Sequence, residues 1–313
     1  MRLRAALLVA TFTLGCGGGG ASDRELQGLV TASATAPRPI DVGKAARDGG
    51  ELARALAQPW RIAAAKLGDH QLTIDSTVEV KDGATVLERL DDQVVIESAK
   101  SGEYHATANN SADYGREVVA LAGKLYLRPR YALWHERGPE AEDEADAIRD
   151  QLAAVLGDYL ELCARGLEVS DQGAVQVAGR SAHRLELKLA PRMAAVTKAA
   201  VTQRAWRDTI VVKALSGEVS LDDELGIALA GKLQAEVTFV RDGKSLTMTV
   251  AVDHAVAAIA APAIAAPPPE NTVATPARSR EVDDRNALLQ GIAPPQGKAA
   301  GVDVPEPAPV VPP

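Results

Sequence analysis

Residues 72–80 read LTIDSTVEV, placing Leu72, Ile74, Ser76, Val78 and Val80 on one side and Thr73, Asp75, Thr77 and Glu79 on the other. A period of two is the mark of a strand with one buried and one wet face. Asp82-Gly83 follows as a hairpin turn. The alternation resumes over 85–90, 93–98 and 103–108. Segments 118–121 and 125–127 flank Ala122-Gly123-Lys124, a tight turn, and 131–136 reads as one more strand. The pattern predicts an antiparallel meander with one apolar face.

The period then changes. Over 140–165, Ile148, Leu152, Val155, Leu156, Tyr159 and Cys163 recur at helical spacing. Pro139 suits a helix start, and Glu140, Glu142, Asp143, Glu144 and Asp146 load the positive end of the dipole. Gly166 closes it. A shorter helix is expected over 51–57, with Leu52 and Leu56 on one face and Pro59 limiting or kinking it. Strands return at 175–189, turning at Gly179. A second long helix is expected over 192–208, with Met193, Val196, Ala200 and Trp206 inward. Segments 210–215, 217–221, 232–241 and 245–252 close the pattern as strands, with Asp242-Gly243 as a hairpin turn.

Proline sets the domain limits. Twelve of the 18 prolines fall after residue 254, mixed with alanine and charge and without a repeat. This predicts an extended, disordered tail over 255–313, with one short amphipathic helix at 281–290 carrying Val282, Leu288 and Leu289. Residues 16–50, rich in Gly, Ala, Thr and Pro, read as a flexible tether, which leaves 51–254 as the folded domain. About 200 residues is ample for one core. The fold class expected is α+β, an antiparallel sheet on two or three helices, with disordered termini.

Charge and composition narrow the function classes. The chain carries 34 Lys and Arg against 42 Asp and Glu, a net charge of −8 over 313 residues, with no basic stripe. Nucleic acid is therefore not an expected partner. With 3% aromatic residues, base-stacking platforms have little material. No phosphate loop, GxGxxG, GxSxG, CxxC or HExxH occurs. His135-Glu136 is followed by Gly138-Pro139 rather than by a helix that could bring a second histidine ligand. Asp222-Asp223-Glu224 has turn spacing, not calcium-loop spacing. Cys163 sits between aliphatic neighbours, as a buried structural cysteine does. No catalytic residue, cofactor or metal is expected.

The N-terminus is the most specific motif. MRLRAALLVATFTLGC joins Arg2 and Arg4 to an apolar stretch of secretory length that ends in Leu14-Gly15-Cys16. It resembles a bacterial lipoprotein signal, with Thr13 standing where that family has Leu. The resemblance implies cleavage of residues 1–15, a lipid on Cys16 and a membrane partner reached through that lipid. Gly17 to Gly20 would then begin the tether. Losing Arg2 and Arg4 moves the net charge from −8 to −10, so the lipid rather than charge would hold the membrane. The family's inner-membrane retention signal, Asp after the cysteine, is replaced by Gly17. The resemblance therefore implies the periplasmic face of the outer membrane.

The order of elements over 50–254 resembles the lipoprotein-carrier and lipoprotein-receptor (LolA/LolB-like) group, which includes mycobacterial lipid-binding lipoproteins. Segments such as GKLYLRPRYALWHER (123–137) and VAGRSAHRLEL (177–187) fit its strands. The resemblance implies a curved, unclosed, barrel-like sheet wrapped over the helices, in a non-enzymatic protein binding or transferring lipid or lipoprotein acyl chains. Leu125, Leu127, Tyr131 and Leu133, or their neighbours in the opposite register, would line the inner face. Two alternatives stand beside it: the same residues form a filled core, or the chain is a tethered envelope protein reaching partner proteins through its proline-rich tail. An open apolar cavity of about 300 Å³ or more separates acyl carriage from a filled core.

Overall fold

In the computed structural model, residues 40–194 and 205–274 are described; Cys16, the 281–290 segment and most of the 192–208 segment lie outside them. Twelve strands form a single sheet in the order β12-β6-β5-β4-β3-β2-β1-β11-β10-β9-β8-β7. One wing is β1 (His70–Asp82), β2 (Thr85–Ser98), β3 (Tyr104–Asn110), β4 (Gly115–Leu121), β5 (Lys124–Pro129) and β6 (Trp134–Arg137). The other is β7 (Leu167–Val177), β8 (Arg180–Leu189), β9 (Val211–Asp222), β10 (Ala228–Arg241) and β11 (Lys244–Ala258). Pairing of β1 with β11, from His70↔Ala258 to Lys81↔Thr247, joins the wings. Every pairing is antiparallel except that of β12 (Thr272–Ala274) on β6. The sheet is curved and unclosed, with β7 and β12 as its edges.

The alternation dictates which face is buried. Along β1, His70, Leu72, Ile74, Ser76, Val78 and Val80 are buried, and β10 and β11 repeat the pattern with Leu233, Val237, Met248 and Val252. The tight turns are those the residues require. Ala122 and Gly123 have φ of 50° and 73°, and Asp242 and Gly243 have 52° and 76°. Two successive positive φ values define the hairpin turn whose twist matches the strands.

Helices cover the buried face: α1 (Val42–Ala45), α2 (Gly49–Leu56), α3 (Arg61–Leu67), α4 (Glu144–Ala153) and α5 (Val155–Cys163). Asp41 and Asp48 cap α1 and α2 by accepting from Lys44 N and Glu51 N, each at 3.0 Å. Pro59 ends the first run as expected, but α3 follows directly and was not anticipated. The single helix expected over 140–165 is two, broken at Ala154. A straight helix of that length would run about 39 Å. Instead α4 lies by β2 and α5 by β10 and β11, so the helical layer bends with the sheet. The acidic run before α4 forms ion pairs: Glu144 with Arg137, Asp146 with Arg149, and Asp143 with Arg61 at 3.1 Å.

Three further expectations are corrected. The pieces 85–90 and 93–98 are one strand, β2, and 210–215 and 217–221 merge into β9. The strand expected over 131–136 begins only at Trp134. Pro129 ends β5, Ala132 N bonds to Pro129 O at 3.0 Å, and Tyr131 takes φ 66°, so a turn replaces its first residues. Met193 and Ala194 are not helical, and α6 (Ala205–Asp208) is the described remnant of the second long helix. The chain also stays ordered past 254: β11 runs to Ala258, and the segment after it reaches across to β6 to add β12.

Candidate functional site

The helical layer is seated on the inner face at distances that leave no room for a guest. Gly157 of α5 lies so close to α2 that a Cβ there would come within 2.3 Å of the Leu56 carbonyl oxygen. Gly231 of β10 gives way to Leu156, whose Cδ2 would be 2.8 Å from an added Cβ. Leu52, Leu156 and Leu160 fill the space beneath, each at most 2% exposed. A void on this face, bordered by Leu56, Trp60, Asp150, Gly157, Ala228 and His254, measures about 20 Å³. That is room for a single water molecule. An acyl chain would have to displace helices to enter.

The four residues expected to face a ligand do not share one environment. Leu125 is 1% exposed in the core, and Leu127 is half-buried against it. Tyr131 and Leu133 are 79% and 51% exposed on the β5–β6 connection. The register brings Leu125 and Leu127 to the inner face and the turn at Pro129 takes the other two off it.

A buried cluster of polar ring nitrogens that no local pattern announces lies where the α2–α3 break meets β1 and β11. Trp60, from the α2–α3 break, has its ring 5.9 Å from His70 and 6.2 Å from His254, all three buried. His70 Nδ1 lies 2.8 Å from the Gly68 carbonyl and His254 Nε2 lies 3.0 Å from that of Ala228. The remaining nitrogens, His70 Nε2, His254 Nδ1 and Trp60 Nε1, are buried without partners. Burial pushes the His254 imidazole down to about 4 and lowers that of His70, so both are neutral at pH 7. Burial also holds the Asp150 carboxyl above its ordinary value, against the pull of Arg61. The Cys163 thiol is pushed up to about 12 by burial alone, which disarms it as a nucleophile. Among the described residues no group of three His, Cys, Asp or Glu side chains is placed to hold a metal ion.

Recesses lie on the opposite face instead. One of about 690 Å³ spreads over β1, β2, β3, β10 and β11 and is bordered by Asp75, Gln93, Asn109, Lys232, Gln234 and Asp253. Most of its lining side chains are polar and several bond to one another: Gln93 donates to Asp75 at 2.9 Å, Thr77 to Asp91 at 2.7 Å, and Lys232 lies 3.3 Å from Asp253. Further along the same face, on β4 to β6, Val119, Tyr126 and Trp134 form a second buried apolar cluster, separate from the core. The Arg128 guanidinium stacks 4.6 Å over the Trp134 ring and pairs with Glu117. Ile264, from the proline-rich segment after β11, packs against this cluster.

No known family profile matches the sequence, and no characterised protein matches it. Solved structures similar to this chain include LprF from Mycobacterium bovis, a LolA superfamily protein and an outer membrane lipoprotein-sorting protein domain from Vibrio parahaemolyticus. LprF from Mycobacterium bovis is 15% identical over 65% of this chain and 93% of its own, with a TM-score of 0.22. A LolA superfamily protein from Nitrosomonas europaea is 9% identical over 65% and 94%, with a TM-score of 0.21. MucB of Pseudomonas aeruginosa, solved in complex with MucA, is 18% identical over 69% of this chain and 58% of that chain, with a TM-score of 0.23. At these TM-scores neither a family nor a role passes from these proteins to this chain.

Proposed function

We propose that this chain is a lipid-anchored binding protein of the bacterial cell envelope, held at the periplasmic face of the outer membrane by a lipid on Cys16. It works without catalysis, by engaging a partner protein on the face of the sheet opposite the helices. One observation carries this reading over acyl carriage. The inner face is closely packed around a void of about 20 Å³, while the recess of about 690 Å³ and the second apolar cluster lie on the other face. A preformed lipid site would be concave, apolar and of ligand size. The lipoprotein-like signal supports the anchor.

The test is native mass spectrometry of the signal-free protein, with Cys16 replaced, purified from envelope extracts. The expected spectrum contains protein without lipid. Stoichiometric lipid surviving purification would overturn the reading and restore binding of lipid or lipoprotein acyl chains as the function. In cells, Cys16→Ser is expected to move the protein from the membrane to the soluble fraction, and unchanged membrane association would remove the anchor.

A further inference from the structure

The outer-face cluster has an unusual occupant. Val119 of β4, Tyr126 of β5 and Trp134 of β6 point away from the core, and the register puts Val119 directly opposite Tyr126. An outward valine, tyrosine and tryptophan side by side make an apolar patch that Leu121 of β4 and Arg128 of β5 cover in part. What else covers it is the segment between β11 and β12, residues 259–271, which reads IAAPAIAAPPPEN. Pro262, Ile264 and Pro267 are half-buried there, while their alanine neighbours are exposed. Ile264 makes the contact with the cluster. A short 3-10 turn at Pro269–Asn271 is closed by Asn271 N to Pro268 O at 3.0 Å. Thr272–Ala274 then pairs in parallel with Trp134–Glu136.

Two recognition modes meet in this arrangement. An extended proline-rich segment on an aromatic surface exploits a backbone that loses little entropy on docking. A strand added to a sheet edge supplies main-chain hydrogen bonds with little demand on sequence. The described grip includes one aliphatic anchor, three paired residues, and a backbone bond from Ile259 N to Asp69 O of 3.4 Å at its root. The Val273 side chain in β12 is exposed among the described residues. Such a strap stays in place because it is attached, with an effective concentration on the order of millimolar.

We propose that the Val119–Tyr126–Trp134 patch and the β6 edge form a docking site for an extended, proline- and alanine-rich segment of a partner protein. The chain's own residues 259–274 occupy it in cis and must leave before the partner enters. The occupant states the recognition rule: prolines flanking a single aliphatic anchor, followed about eight residues later by a short strand. Arg128, stacked on Trp134 and paired with Glu117, holds the indole in place for it. This rests on the reading that partners engage the outer face, and it names their chemistry.

The experiment uses the whole mature chain and a labelled synthetic peptide of residues 259–274, followed by fluorescence anisotropy. Ile264→Asp removes the anchor from the strap and leaves the core untouched. The expected result is peptide binding to Ile264→Asp at least about tenfold tighter than to wild type, lost again when Trp134→Ala is added. Circular dichroism confirms that each variant folds. Hydrogen exchange gives an independent readout, with Trp134 to Glu136 amides opening in Ile264→Asp and closing when peptide is added. Equal binding to wild type and Ile264→Asp, or none to a folded Ile264→Asp whose β6 amides have opened, overturns the proposal. Wild-type dimers formed by exchanged straps overturn it too, because the occupant is then a second copy. Lipid found in the native spectrum would defeat the functional reading while leaving the peptide result standing; failure of the peptide with lipid-free protein defeats the strap alone.

Discussion

Gly157→Ala tests whether the inner face is as tightly closed as the geometry has it. The glycine sits where α5 crosses α2, and its added Cβ would lie 2.3 Å from Leu56 O, 2.8 Å from Leu56 C and 3.2 Å from Ala57 N. Carbon–oxygen contacts settle at about 3.3–3.6 Å, so one helix must move by about 1 Å. The atoms met are backbone and cannot rotate aside. Alanine is the better helix former by about 0.8–1.0 kcal/mol, which works against the expected loss. Overpacking a closed core costs about 1–3 kcal/mol, and a 1 Å gap under Leu52, Leu156 and Leu160 forfeits up to half of their dispersion wells. The balance is a net destabilisation on the order of 1–2 kcal/mol, or roughly 2–8 °C in Tm for a domain of this size. Thermal melts followed by circular dichroism measure it. Gly50→Ala is the control, since that exposed glycine of α2 meets only the Asp48 side chain at 3.3 Å; it is expected to leave Tm unchanged or raised. A Gly157→Ala protein as stable as wild type would refute the close crossing, and with it the argument that the interior excludes a guest.

Two predictions concern buried titratable groups. His254 is neutral in the fold, its imidazole held down to about 4 by burial. The unfolded chain therefore takes up this proton first, near pH 6.5, so the stability contribution is intact above that pH and declines as pH falls toward 4. Its full size is roughly 3 kcal/mol. The neutral His70 acts in the same direction. Urea denaturation between pH 7 and 4 is expected to follow this decline, and His254→Gln is expected to flatten it; an unchanged slope refutes the assignment. Asp222 is fully buried and accepts from Arg180 and from the backbone N–H groups of Glu224 and Leu225, at 2.9 and 2.7 Å for the latter two. Burial raises its carboxyl, but Arg180 and the two N–H groups outweigh it and hold the value below the usual range. Asp222→Ala is expected to cost about 1–3 kcal/mol at pH 7. The gap to wild type narrows as pH falls below the ordinary carboxylate value, because the unfolded chain takes up the proton first, and its charge-dependent part is gone once pH passes the lowered value of the folded carboxyl. A constant gap across that range would rule out the charge as its source.

Much of the sheet was legible because strand period and turn chemistry are local. The hairpins at Ala122-Gly123 and Asp242-Gly243 turn at the residues expected, and the one expected at Asp82-Gly83 turns one residue later, at Gly83-Ala84, with Asp82 still paired to Thr85; each inward face follows its own alternation. The helices were less legible. The break at Ala154 has no Pro or Gly to announce it, since it answers to the curvature of a sheet built partly from strands 80 residues away. The site was least legible. Tyr131 and Leu133 continue a plausible alternation past Pro129, and nothing short of the turn there tells that they leave the inner face. Val119, Tyr126 and Trp134 read as ordinary strand residues, and their outward placement follows only from the register of β4, β5 and β6.

The sequence by itself determined the alternating strands, the acidic balance, the lipoprotein-like leader and the absence of a recognised catalytic motif. Those properties reside in neighbouring residues and survive without knowledge of what packs where. Tertiary structure alone decided that the inner face is closely packed, and that His70 of β1 and His254 of β11, far apart in the chain, share Trp60. It also decided that part of a proline-rich stretch is a strap and not free tail. The reason is physical. A cavity or a docking site is the difference between two surfaces brought together by pairings far apart in sequence, and neither surface carries that difference in its own residues.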